Sequence, residues 1–318
     1  MLVVRGTALV KVFAAIVLAL AVGIAPARAE ADAGGTGPAD APIRLTLNDW
    51  TGQRISARIM GEVLRRGGFP VEYVEADYLG QFEQLATGEY HLAMEMWATT
   101  GKADMDRWTA TGRVVSFGET GMMSREEWWY PAYMAELCPG LPDWKALARC
   151  ASLFATPATA PKGRYLGAPR TWGGHDEERV KSLGLDFVVQ HAETDAQLYR
   201  ELGEAYDARR PIVLWVFAPH WVQTVFDGEW VSFPPYTEEC YASGRYDCAK
   251  PAGPIWKVAW SGFEARWPAA ARAARAFRIE NDEMSRLIGR VELGGRPIEE
   301  VVDAWLATNE PRWRGWLE

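Results

Sequence analysis

Three neighbouring residues in the stretch APRTWGGHDEERV, residues 168–180, could do chemistry together: Trp172, Gly173 and Gly174. An indole directly before two glycines, at the mouth of a charged helix, sets a large π face beside backbone N–H groups that no side chain screens. A ring face attracts a desolvated cation by about 0.5–2 kcal/mol. Free N–H groups at a helix N-terminus attract an anion, and glycine lets a ligand come close to them. The combination predicts a site for a small zwitterion whose charges lie close together, with Trp172 on the cation and the following amides on a carboxylate.

Two other segments end the same way, HLAMEMW on Trp97 and PIVLWVF on Phe217. Aromatics at strand ends suit a quaternary ammonium, which cannot donate hydrogen bonds and needs no carboxylate partner. Three rings at the upper value supply about 6 kcal/mol, whereas micromolar affinity needs about 8 net of ordering costs, so the amides must contribute. The chain holds 16 tryptophans in 318 residues, several times the usual share, which means either bulk packing or an aromatic surface built to receive a ligand.

The elements that must position these residues follow from periodicity. IRLTLND alternates as a strand does, and QRISARIMGEVLRRGG sets Ile55, Ile59, Met60 and Val63 on one helical face before a Gly67-Gly68 stop. VEYVEAD reads as a second strand, YLGQFEQLATGEY as a short helix ended by Gly88, and HLAMEMW as a third strand. This β-α-β-α-β order predicts a parallel sheet with ligands at the carboxyl ends of its strands. A second unit of the same kind runs through RYLGAP, HDEERVKSLG, DFVVQHA, DAQLYRELGEAYDARR and PIVLWVF. Between them GMMSREEWWYPAYM is extended. Past Ile255 come one strand-like segment, IWKVAW, and then the helices PAAARAARAFRI, NDEMSRLIGRV and PIEEVVDAWLATNEPRWRGW, where Trp305, Trp313 and Trp316 read as packing.

The first 29 residues carry Arg5 and Lys11, an apolar run from Val12 to Ile24 and an Ala27-Arg28-Ala29 end. That is a secretory signal pattern, too short to span a bilayer. Residues 30–42 read as a flexible Gly/Ala/Pro-rich leader. With 34 Lys and Arg against 42 Asp and Glu, the chain has a formal charge of −8 and is not expected to bind nucleic acid. Cys138 with Cys150 and Cys240 with Cys248 are expected to form two local disulfides, because an exported chain with an even cysteine count favours bridges. Zinc is the alternative, but neither pair has C-x-x-C spacing.

From about residue 43 onward the chain resembles the glycine betaine/proline betaine substrate-binding proteins of ABC transporters. GEYHLAMEMWATT is similar to that family's strand ending in a cage tryptophan, APRTWGGHDEER to its tryptophan followed by carboxylate-holding amides, and PIVLWVFAPHWV to its W-x-P-x-W segment. The resemblance implies the two-lobed α/β type II periplasmic-binding fold with a cleft between the lobes. It implies a cage of Trp97, Trp172 and Phe217, the last standing where the family usually has tryptophan. Lobe 1 is expected over 43–121 and 254–318 and lobe 2 over 122–253, in a periplasmic monomer that hands a quaternary amine or betaine to a membrane permease, glycine betaine foremost, with choline, carnitine or trimethylamine oxide as the alternatives. No cofactor or metal is implied.

Other residues compete for the remaining walls. Trp50 precedes a helix mouth, TGQR, and with Asp49 and Glu95 it occupies a region where related choline-binding proteins place an aromatic and an acid. A carboxylate there favours choline or trimethylamine oxide over glycine betaine, and Glu95 shares the strand face of Trp97. Trp128, Trp129 and Tyr130 are candidates for a fourth wall, Trp129 foremost, while Trp215 is set further back on its strand. His220 either donates to a ligand carboxylate or is structural, and Trp221 packs under its loop. His91, His175 and His191 read as surface or cap residues, and the charged clusters REE and HDEER as solvated helix faces. An exported enzyme is disfavoured, since no H-E-x-x-H or G-x-S-x-G pattern is present. A sensory domain on the same fold is the third reading, weakened by the lack of a second module.

Overall fold

In the computed structural model, residues 41–318 are described; the expected signal (1–29) and nearly all of the leader (30–42) lie outside them. Strand β1 (Ile43–Leu47) is flanked in parallel by β2 (Val71–Glu75) and β3 (Leu92–Trp97), as the first β-α-β-α-β unit requires. The helix Thr51–Arg66 between β1 and β2 buries Ile55, Ile59, Met60 and Val63, the face marked by their spacing. The helix Gln81–Thr87 ends on Gly88, whose left-handed φ of 75° suits a residue without Cβ.

Strand β4 (Val114–Pro131) runs 18 residues and carries the chain from one half to the other. Three strands of the second unit, β5 (Gly163–Gly167), β6 (Phe187–His191) and β7 (Leu214–Ala218), are again parallel, with β5 between the other two. A short β8 (Gly228–Trp230) and the long β9 (Gly253–Trp260) complete the sheet, whose order is β2-β1-β3-β9-β4-β7-β5-β6 with β8 on β4.

Along β4 the antiparallel partner changes, from β9 up to Ser124 to β7 from Arg125 onward. The β4–β9 ladder slips twice near Gly118 and Gly121, both at positive φ, where bulges relieve so long a strand. The buried Lys257 of β9 donates to Glu119 O at the bulge and to Arg275 O and Phe277 O, so the displaced carbonyls are not left unpaired.

The C-terminal stretch expected as one helix is two, Ile298–Thr308 and Glu310–Leu317. Pro311 has no N–H to continue the first and starts the second. Trp305, Trp313 and Trp316 are buried there, as packing requires. Cysteines pair 138 with 150 and 240 with 248, at Cα separations of 5.8 and 6.4 Å. Among the described residues no helix is long and apolar enough to cross a membrane, and no His/Cys/Asp/Glu group could hold a metal.

Candidate functional site

The carboxyl ends of the parallel strands converge on one small, partly open cavity lined by Trp50, Tyr78, Trp97, Thr100, Glu126, Trp172, Trp215 and Phe217. Trp50 follows β1, Trp97 closes β3, Trp172 sits in the 3-10 turn after β5, and Trp215 and Phe217 share one face of β7. Their rings meet edge to face: Trp50 to Trp172 at 5.8 Å, Trp97 to Phe217 at 5.5 Å, and Trp172 to Phe217 at 6.2 Å between centroids. Edge-to-face contact leaves ring faces free to line a hollow.

Carboxylates fix the indoles from outside the cavity. Glu95 accepts hydrogen bonds from Trp50 Nε1 at 3.0 Å, Trp97 Nε1 at 3.1 Å and Ser56 Oγ at 2.7 Å. Burial pushes its carboxyl above the usual range, against the pull of those three donors. Asp49 accepts from Trp172 Nε1 at 2.8 Å. Tyr78 OH accepts from Trp97 N at 2.9 Å, and a Cβ at Gly101 would lie 2.2 Å from that oxygen, so Gly101 must be glycine for Tyr78 to enter. Glu95 and Asp49 therefore do not line the cavity as expected; they orient the rings that do.

The carboxyl in the lining is Glu126 of β4, cross-strand from Phe217. Burial pushes its pKa up to about 7, beyond what Lys250 draws back, and its Oε2 is buried without a hydrogen-bond partner among the described residues. The REE and HDEER clusters, expected as solvated helix faces, are instead partly core. REE lies on β4, with Glu126 and Glu127 buried, and Asp176 and Arg179 of HDEER are buried beneath the cavity. Arg179 ion-pairs with Glu127 and donates to Cys248 O at 2.8 Å. Asp176 accepts from Trp128 Nε1 at 2.9 Å and lies 3.3 Å from Lys250 Nζ. Glu127, Asp176 and Arg179 are buried because each is paired, and apart from the contact between Asp176 and Arg179 their hydrogen-bond partners are 48 to 123 residues away, out of reach of local pattern.

Several expected contacts are not brought to the cavity. Gly173 donates its N–H back to Arg170 O, and the helix Asp176–Leu183 opens with Asp176, Glu177 and Glu178, which fill its positive end and repel a ligand anion. The glycines serve another purpose. Gly173, Gly174 and His175 all have positive φ, a path that turns Trp172 inward, and Lys250 Nζ holds Gly174 O at 2.7 Å. Trp129 points to the other side of β4, over Gly228, whose Cβ would lie 1.9 Å from the indole. Strand alternation puts Glu126 and Trp128 on one face and Trp129 on the opposite one. Trp128 stacks on Tyr165 at 3.8 Å, away from the lining. His220 is buried behind Phe217, and Trp221 packs as expected. His91 is buried rather than on the surface, with Nδ1 accepting from Arg44 N at 2.8 Å, whereas His175 stands at the N-cap position of its helix without a side-chain cap hydrogen bond. Trp215, set back on β7, does reach the cavity because it shares the Phe217 face.

Residues 41–308 match the model of the substrate binding domain of ABC-type glycine betaine transport systems. The chain is 30% identical over 295 residues to the trimethylamine N-oxide-binding protein of Pelagibacter ubique (strain HTCC1062), covering 88% of this chain and 93% of that protein. In fold it is similar to lactococcal OpuAC in its closed form with glycine betaine, at a TM-score of 0.70 and 16% identity over 88% of this chain and 100% of that one. A choline binding protein in complex with choline matches with TM-score 0.70 and 16% identity over 87% and 91% of the two chains. The glycine/betaine/L-proline-binding protein ProX of Borrelia burgdorferi gives 0.72 at 13% identity over 87% and 97%.

Proposed function

Because the chain belongs to the family of substrate-binding domains of ABC-type glycine betaine transport systems, we propose that its cage of Trp50, Trp97, Trp172, Trp215 and Phe217 captures a small trimethylammonium compound for delivery to a membrane permease. The observation that carries this reading is the convergence of five rings from both halves of the sheet on one cavity whose lining holds one carboxyl, Glu126. Methyl groups on a cationic nitrogen cannot donate hydrogen bonds in water, so ring faces replace the hydration shell at little cost and add cation–π attraction. The family is one of transport proteins that act outside the cytoplasm, and not of enzymes.

Glycine betaine is the ligand the family description names. A second ligand, trimethylamine N-oxide, is favoured by Glu126: a carboxyl still protonated near neutrality donates to an N-oxide oxygen, while neither Gly173 nor Gly174 borders the cavity to take a carboxylate. The 30% identical relative that binds this compound supports the same choice. We further infer export by the signal at 1–29 through a linker at 30–42. In this reading lobe 1 (43–121 with 254–318) and lobe 2 (122–253) close on the ligand by hinge motion in a periplasmic monomer without a cofactor.

Calorimetry on the mature protein with glycine betaine, choline, carnitine and trimethylamine N-oxide tests this. Dissociation constants in the micromolar range for at least one are expected, and no binding below millimolar concentration by any of the four overturns the reading.

A further inference from the structure

Glu292 closes the helix Asn281–Glu292, at the end where the macrodipole disfavours a carboxylate, so its presence requires donors. They come from the turn after the cage strand β7. Trp221 Nε1 donates to Glu292 Oε2 at 2.6 Å, and His220 Nε2 lies 3.2 Å from the same oxygen. His220 Nδ1 accepts from Val222 N at 3.4 Å, while Nε2 faces Glu292 without forming an aligned hydrogen bond. His220 in turn packs its ring 4.6 Å from that of Phe217. Burial raises the Glu292 carboxyl, and polar contacts with His220, Thr51 and Trp221 overcome this and bring it below its ordinary value.

The same helix end touches the other side of the cage. Ile288 Cδ1 lies 3.3 Å from where Gly52 would carry a Cβ, and Gly52 follows Trp50 by two residues. On Gly289 a Cβ would lie 3.4 Å from Trp221 Cβ, so this glycine lets the indole seat on the helix. One helical end therefore contacts the segments carrying Trp50 and Phe217, which come from opposite halves of the sheet, without entering the cavity.

We propose that Glu292 is a positioning residue that latches the two sides of the aromatic cage together from outside, through its hydrogen bond from Trp221. The inference rests on the reading of the cavity as a site for methylated ammonium compounds. A latch made only when the rings are together holds the ligand by slowing dissociation and leaves encounter unchanged.

The test uses the mature protein with Glu292→Ala, Trp221→Phe and the double variant, titrated with trimethylamine N-oxide and glycine betaine and followed by stopped-flow fluorescence. Each single variant is expected to weaken binding about five- to tenfold through faster dissociation, with association unchanged, and the double variant to be no worse than either. Unchanged dissociation in both single variants, or effects that add, overturn the latch. A drop in affinity that tracks a fall in melting temperature assigns Glu292 to general stability and also overturns it. If the parent protein binds none of the methylated amines, the ligand reading falls and the latch is judged by amide hydrogen exchange on the ligand-free protein. Glu292→Ala then speeds exchange in both 219–222 and 51–54 if the latch holds, and in the helix Asn281–Glu292 alone if it does not.

Discussion

Asp49 accepts a hydrogen bond of 2.8 Å from the indole of Trp172, across 123 residues of chain. Asp49 follows β1 and Trp172 follows β5, so this bond ties a cage ring of one β-α-β-α-β unit to a loop of the other. The carboxylate holds the ring edge and leaves the face to the cavity. Asp49→Ala is expected to weaken ligand binding about three- to tenfold, since a hydrogen bond to a charged group contributes about 1.5–3 kcal/mol and this one is partly exposed to water. Asp49→Asn keeps an acceptor and should lose less; equal losses in the two variants, measured by calorimetry, count against a role in orienting Trp172.

Removing a wall of the cage tests the wall directly. Trp97→Ala and Trp172→Ala should each cost at least tenfold in affinity, because a desolvated cation–π contact contributes about 2 kcal/mol and tenfold corresponds to about 1.4. Circular dichroism checks that both variants stay folded. Parent-like affinity in both shows that the cation is not held there.

An indole is a stronger cation partner than the phenyl ring of Phe217, but that ring is closed in by Trp97, Trp172, Trp215 and His220. Phe217→Trp is expected to weaken binding, because overpacking a filled site costs about 1–3 kcal/mol and the extra ring occupies ligand space. Tighter binding by this variant would mean that the cavity has room to spare.

Glu126 makes binding depend on pH, with a sign that differs between ligands. Its carboxyl titrates at about 7, raised by burial, with Lys250 opposing and Asp176 and Glu127 reinforcing the shift. Below that pH the neutral acid donates to an N-oxide oxygen, so affinity for trimethylamine N-oxide is fully present at pH 6 and falls as pH rises through 7. Choline, a pure cation, gains from the ionised form, so its affinity rises over the same interval. In Glu126→Gln both dependences should flatten, and calorimetry at pH 6 and 8 reads the result. For stability the sign is also fixed: the folded state holds the proton more tightly than the unfolded chain, so the stability tied to Glu126 is present below about pH 4.5 and is lost as pH rises through 7.

Arg179 is buried among Glu127, Asp176 and the carbonyl of Cys248. Arg179→Met leaves Glu127 buried without its partner and is expected to cost about 3–5 kcal/mol, a fall of roughly 10 °C in melting temperature. A change under 2 °C by scanning calorimetry would show that water reaches Glu127 and screens it.

Much of the scaffold is legible in the chain because strand and helix periodicities are local. The β-α-β-α-β order of both units, the Gly88 stop and the pairing of neighbouring cysteines need only a few residues of context. Trp97, Trp172 and Phe217 stand out because each ends a regular segment, where an aromatic has no local reason to be. Pro311 is a local signal too, and it splits the expected C-terminal helix in two.

Sequence alone thus determined the order of the elements and the strand-end aromatics, since both follow from spacing along one segment. Tertiary structure alone decided which side each residue faces and what meets it there. Glu126 and Trp129 sit three residues apart on β4, yet one borders the cavity and the other lies over Gly228, because the pleat alternates and only the neighbouring strands define which face is inside. Glu127, Asp176 and Arg179 look solvated in the chain and are buried in the fold, because partners such as Trp128, Lys250 and Cys248 from other segments offset their desolvation, and no local pattern records those partners.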